Sequence, residues 1–79
     1  MSTAEAQEVK GLLLQSNDHY RHLAERHHQL DDRLHELTDK HYLSTAEQLE
    51  ESTIKKRKLA LKDQMESIAR EFAAHSRAS

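Results

Sequence analysis

The sequence predicts an all-α fold: an antiparallel two-helix hairpin of coiled-coil type that oligomerises into a helical bundle. Three observations predict it. The 79 residues include one Gly and no Pro, so the residues that usually interrupt helices are nearly absent. Apolar residues recur at alternating gaps of three and four in two separate stretches, which is the heptad spacing of helices that pack side by side. A helix-capping signal stands between the two stretches.

The first helix is expected over about residues 4–40. At about 100° per residue, the heptad positions fall on one side of this helix and form its seam. Gly11 and the cap-favouring run Ser16-Asn17-Asp18 weaken the helix near its start, with a possible kink or break near residues 15–18. The N-terminal arm is therefore either a separate helix or a kinked extension. The seam residues of the first helix are Leu13, Tyr20, Leu23, His27, Leu30, Leu34 and Leu37.

The turn and the second helix are placed by Ser44 and Glu47, which have the spacing of a capping box. This predicts a turn at about residues 41–44 and a second helix over about 45–74. A connection this short makes the two helices antiparallel neighbours within one domain spanning 1–79. The seam residues of the second helix are Ile54, Lys58, Leu61, Met65, Ile68 and Phe72.

Each seam contains one polar position, His27 or Lys58. His27 is either a pH-responsive group or metal ligand, or a histidine that packs on leucines. Packing is favoured, because no second ligand stands at zinc spacing on the same face. Lys58 is expected to lay its stem on apolar surface and bring its ammonium group near Asp31 or His27.

Two motifs resemble the YdcH-like family, small bacterial proteins of unknown function. Residues 23–31, LAERHHQLD, are similar to its L-x-x-x-H-x-x-L-D signature. Residues 54–65, IKKRKLALKDQM, resemble a second signature, roughly L-K-K-x-K-L-x-L-K-D-E-I, with Ile54, Gln64 and Met65 as departures. The segment HYLS at 41–44 also resembles the turn of some members. The resemblance covers about residues 17–70 and implies a two-helix hairpin with no assigned biochemical role.

Three leucines fall off the seams: Leu14, Leu49 and Leu59. A single exposed leucine is ordinary, but several on the backs of both helices indicate contacts with further helices. A chain of this length without Cys gains stability most simply by oligomerising. We therefore expect a homo-oligomer, with a dimer of hairpins forming a four-helix bundle favoured, or a helical protein partner.

The second helix carries a basic run at residues 55–58, followed by Lys62. In a functional interpretation, Lys55, Lys56, Arg57 and Lys62 contact a nucleic-acid backbone. The run lacks interleaved aromatic residues and the chain has a net charge of −2, so pairing with acidic residues of the first helix is favoured. Residues 1–43 hold five basic and eight acidic residues, whereas 44–79 hold seven and six. Nucleic acid is therefore not the expected partner.

Seven histidines raise a metal hypothesis. His28, Asp31, Asp32 and His35 share one face of the first helix at spacings that can chelate a divalent ion. A solvated polar face is the favoured interpretation, so we expect no metal and no cofactor. The sequence has no glycine-rich phosphate loop and no catalytic constellation, which argues against an enzyme.

The compartment is predicted from two features. No apolar run approaches the roughly 20 residues of a membrane span, and the N-terminus lacks the basic start and apolar core of a signal peptide. We therefore expect a soluble cytoplasmic protein that does not act at a membrane. The leading hypothesis is a small non-enzymatic structural or adaptor protein that acts through helix–helix association. The alternatives are a nucleic-acid-associated accessory protein and a histidine-based metal or pH sensor.

Overall fold

The computed structural model describes residues 3–78, with side chains described as far as His75. This part of the chain consists of helices and the segments that connect them. Its helices are α1 (Thr3–Ser16), α2 (Asp18–Thr38) and α3 (Thr45–Ala78). The all-α prediction is confirmed. The expected pair of helices is corrected to three, because the first predicted helix is interrupted in its N-terminal half.

The interruption lies at Asn17, which has an extended backbone (φ −123°, ψ 106°) between two helices. Its backbone N–H donates to the Leu13 carbonyl at 2.9 Å and so completes α1. Its side-chain oxygen accepts from the Tyr20 N–H at 2.9 Å and so caps α2. One asparagine therefore ends one helix and starts the next, and the N-terminal arm is a separate helix.

α1 turns back at this junction and packs on both other helices. Val9 and Leu13 are buried together with Tyr20 of α2 and Ala73 of α3. Half-buried apolar side chains surround this cluster, namely Leu14, Met65, Ile68, Ala69 and Phe72. Where α1 packs on α2 and α3, the molecule is therefore three helices thick.

The connection between α2 and α3 contains the predicted capping box. The Glu47 N–H donates to the Ser44 hydroxyl at 3.1 Å, and the Ser44 N–H donates to the Glu47 carboxylate at 3.0 Å. Lys40 also donates to Glu47, and this bond together with the Ser44 bonds lowers the pKa of Glu47 to about 2. α2 ends at Thr38 and α3 begins at Thr45.

α2 and α3 run antiparallel, as their cross-helix ion pairs demonstrate. Arg33 pairs with Glu50, and Asp31, two residues earlier on α2, pairs with Lys58 farther along α3. Between the helices, Leu23, Leu37 and Ile54 are buried, and the remaining seam residues of this pair, His27, Leu30, Leu34, Lys58 and Leu61, are half-buried. Towards the turn the molecule is two helices thick. Its length of 53 Å is close to that of α3 alone, about 51 Å at 1.5 Å per residue.

Candidate binding groove and exposed leucines

A groove separates α1 from the α2–α3 pair. Its volume is about 840 Å³. All three helices contribute to its walls. The lining residues are Ala6, Gln7 and Lys10 of α1, Tyr20 and His27 of α2, and Lys58, Leu59, Lys62, Met65, Glu66, Ala69 and Arg70 of α3.

We call this groove the cationic groove, because the charges along its walls are unbalanced. It is lined by four basic side chains and by one carboxylate, Glu66. Lys58 is held by Asp31, which lies outside the lining. Lys10, Lys62 and Arg70 form no ion pair within residues 3–75, where side chains are described. The groove therefore has a positive potential on a chain whose net charge is −2.

The polar seam positions meet at the groove wall. The Lys58 ammonium group donates to the Asp31 carboxylate, as predicted, and this hydrogen bond is the main cause of the lowered pKa of Asp31. Burial is the main cause of the lowered pKa of His27, the positive charge of Lys58 lowers it further, and Asp31 opposes both. His27 is therefore the neutral imidazole at neutral pH.

A second, smaller groove lies along the α2–α3 pair and has a volume of about 410 Å³. Arg26 of α2 and Arg57 of α3 both line it, so two guanidinium groups from different helices face one depression. The other lining residues are His19, His22, Leu23, Leu30, Ala60, Leu61 and Gln64.

The off-seam leucines do not form one surface. Leu49 and Leu59 are 67% and 61% exposed, whereas Leu14 is half-buried against the core cluster because α1 turns back over it. Leu59 lines the cationic groove, and Leu49 lies near the turn, where the molecule is two helices thick. Two exposed apolar residues were missed by sequence reasoning, Leu12 at 52% and Tyr42 at 91%. Leu12 adjoins the seam position Leu13. The run of three consecutive leucines was the only sequence feature that could have indicated an exposed leucine here.

The basic run is divided among several sides of α3. Lys55 pairs with Glu51 one turn earlier at 3.3 Å, and Lys58 turns inward to α2. Arg57 faces the smaller groove, Lys62 faces the cationic groove and Lys56 is exposed. The run therefore does not form one continuous cationic strip.

The histidine–aspartate face of α2 forms contacts within its own helix. His28 lies 3.5 Å from the Asp32 carboxylate, and the His35 ring nitrogen lies 2.9 Å from the Asp31 carbonyl oxygen. Over the described part of the chain, no three His, Asp or Glu residues are grouped so that they could hold a metal ion. The described helices also include none with both the length and the apolar character needed to cross a bilayer.

Comparison with known proteins gives one match. The family model described as "Protein of unknown function (DUF465)" matches residues 21–69, more than half of the chain. The match includes both motifs at 23–31 and 54–65, most of α2 and the larger part of α3, and it leaves α1 outside. No curated protein and no solved structure matches the chain.

Proposed function

This chain belongs to the DUF465 family of proteins of unknown function, and from that premise we propose that it is a non-enzymatic structural or adaptor module that acts through helix–helix association. The observation that carries the proposal is Leu49, which is 67% exposed on α3 near the turn. That end of the molecule is only two helices thick. A further helix laid against it would bury apolar surface that the chain itself leaves in water.

The position of Leu49 on its helix supports an external partner. Leu49 precedes the buried Ile54 by five residues, which places it about 140° around the helix axis from Ile54. It therefore faces away from α2, and the observed packing of the α2–α3 pair leaves it uncovered. Tyr42, 91% exposed in the connection at the same end, adds an aromatic side chain of a type enriched in protein interfaces.

A homodimer is the favoured association, because a twofold axis buries the same patch on both copies. Full burial of a leucine side chain contributes about 1.5–3 kcal/mol. About two-thirds of the Leu49 side chain is exposed, and a twofold dimer would bury it on both copies. Replacement of Leu49 should therefore weaken association by about 2–4 kcal/mol. That corresponds to a dissociation constant raised roughly 30- to 1,000-fold.

Sedimentation equilibrium tests the proposal. We expect the wild-type chain to form dimers and Leu49→Gln to shift the equilibrium to monomers by the stated factor. Leu12→Gln is the matched control, because it makes the same change at an exposed leucine on α1 and should leave association unaltered. A wild-type chain that stays monomeric to millimolar concentration would exclude the dimer. If affinity capture with wild-type and Leu49→Gln baits then recovers the same proteins, an adaptor role through Leu49 is also excluded.

The basic run gives less support to a nucleic-acid-associated function. Lys55 and Lys58 are engaged by Glu51 and Asp31, so half of the four consecutive cations are already neutralised within the chain. Phosphate contacts would have to compete with these pairs, whereas a helix packed on Leu49 would displace only water.

A further inference from the structure

We propose that the cationic groove between α1 and the α2–α3 pair binds an amphipathic anion, specifically a free alkyl carboxylate of medium chain length. The inference goes beyond helix association and uses a different part of the molecule. It rests on the volume of the groove, on its unpaired cations and on its apolar floor.

The volume and lining suit a small molecule. At about 840 Å³, the groove falls within the roughly 300–1,000 Å³ typical of small-molecule sites. Such sites combine mostly apolar walls with a few convergent polar groups. Here Met65 and Ala69 are half-buried, and Leu59 is 61% exposed in the same groove. An alkyl chain lying along these side chains would cover apolar surface that water now contacts.

The charges select an anion over a cation or a neutral molecule. Lys10, Lys62 and Arg70 approach the groove from α1 and α3 and have no carboxylate partner among the described side chains. A carboxylate bound by any of these cations would accept charge-assisted hydrogen bonds, the stronger kind in proteins. Glu66 is the one lining group that would repel it. A cationic head group would meet three like charges instead.

Titration calorimetry of the intact chain with sodium decanoate below its micelle-forming concentration tests the proposal. We expect one decanoate to bind per chain. The double variant Lys62→Gln/Arg70→Gln should weaken binding at least tenfold. Lys56→Gln, the same change at an exposed lysine of α3 outside the groove, should leave it unaltered. Decyltrimethylammonium, with the same alkyl chain and the opposite charge, should bind at least tenfold more weakly than decanoate.

Three results would overturn the inference: no decanoate binding, equal binding by the double variant, or equal binding of the cationic amphiphile. Methyl resonances provide a second measurement that does not depend on a variant. Decanoate should shift the signals of Leu59 and Met65 in the wild-type chain, and shifts confined to Leu30 and Leu61 of the smaller groove would also refute it. Leu49→Gln should bind decanoate normally, so failure of the association proposal and failure of this one are distinguishable.

Discussion

Substitution of Asn17 by alanine tests what separates α1 from α2. Asn17 is extended and caps α2 through its side chain, which accepts from the Tyr20 N–H at 2.9 Å. Alanine cannot make this bond and is the residue that most favours helix. Asn17→Ala should therefore shift the balance from two capped helices to one continuous helix, in which α1 points away from the core.

The size of the shift follows from two contributions. Loss of an N-cap side chain costs about 1 kcal/mol, and alanine favours the helical conformation over asparagine by up to about 0.7 kcal/mol. Together they favour the straight helix by roughly 1.5 kcal/mol, about a tenfold change in the equilibrium. Burial of Val9 and Leu13, each worth up to about 1.5–3 kcal/mol, opposes it. Asn17→Ala alone should thus destabilise the chain by about 1 kcal/mol while α1 stays docked.

Two measurements check this reasoning. Urea unfolding should show a lower free energy of unfolding for Asn17→Ala. The decrease should be much smaller for Asn17→Asp, which keeps a capping oxygen. In the double variant Asn17→Ala/Leu13→Ala, removal of the nearly fully buried leucine should undock α1. The radius of gyration from solution scattering should then rise above that of the wild-type chain. If Asn17→Ala is as stable as Asn17→Asp, the cap does not determine the break.

Three further predictions concern stability. Leu37 is fully buried, so Leu37→Ala should cost about 2–5 kcal/mol of a total of roughly 4–12 kcal/mol for a chain of this size, measured as a fall in the free energy of unfolding. Gly11 lies within α1, and a methyl group added there would meet no neighbouring side chain of the described residues within 4 Å, so Gly11→Ala should raise the thermal midpoint through a gain of about 0.5–1 kcal/mol. Glu47 has a folded pKa of about 2 against an ordinary 4.5, so it stabilises the fold above its ordinary pKa and this contribution is lost as the pH falls from 4.5 towards 2. Glu47→Gln should flatten the stability profile in that window, and an unchanged profile would contradict the assignment.

The features that the sequence predicted well are local or depend on a fixed register. The capping box of Ser44 and Glu47 involves residues three apart, so its geometry follows from the chain itself. The Lys58–Asp31 pair follows once two antiparallel helices are joined by a short turn. The Arg33–Glu50 pair, with the guanidinium Nη2 donating at 2.7 Å, could have been found in the same way. Both residues lie beside the seams at similar distances from the turn.

The features that the sequence could not decide depend on tertiary packing. The cap preference of Asn17 permits a break but does not require one, because an asparagine inside a helix costs less than about 1 kcal/mol. The break is maintained by Val9 and Leu13 packing against Ala73, which lies at the far end of the chain. The half-burial of Leu14 and the cationic groove follow from the same return of α1, so neither can be read from helical periodicity.

The cross-helix ion pairs of α2 and α3 also specify the register in which these helices meet. Neighbouring pairs have opposite polarity: α2 supplies the cation to Glu50 and the anion to Lys58. If α3 slid by one heptad in one direction, Arg33 would face Arg57, and in the other direction Asp31 would face Glu51. Both slips preserve the heptad pattern of apolar residues, yet each replaces an attraction with a repulsion between like charges. Alternating charge thus disfavours the misaligned hairpins that a uniform leucine seam would tolerate.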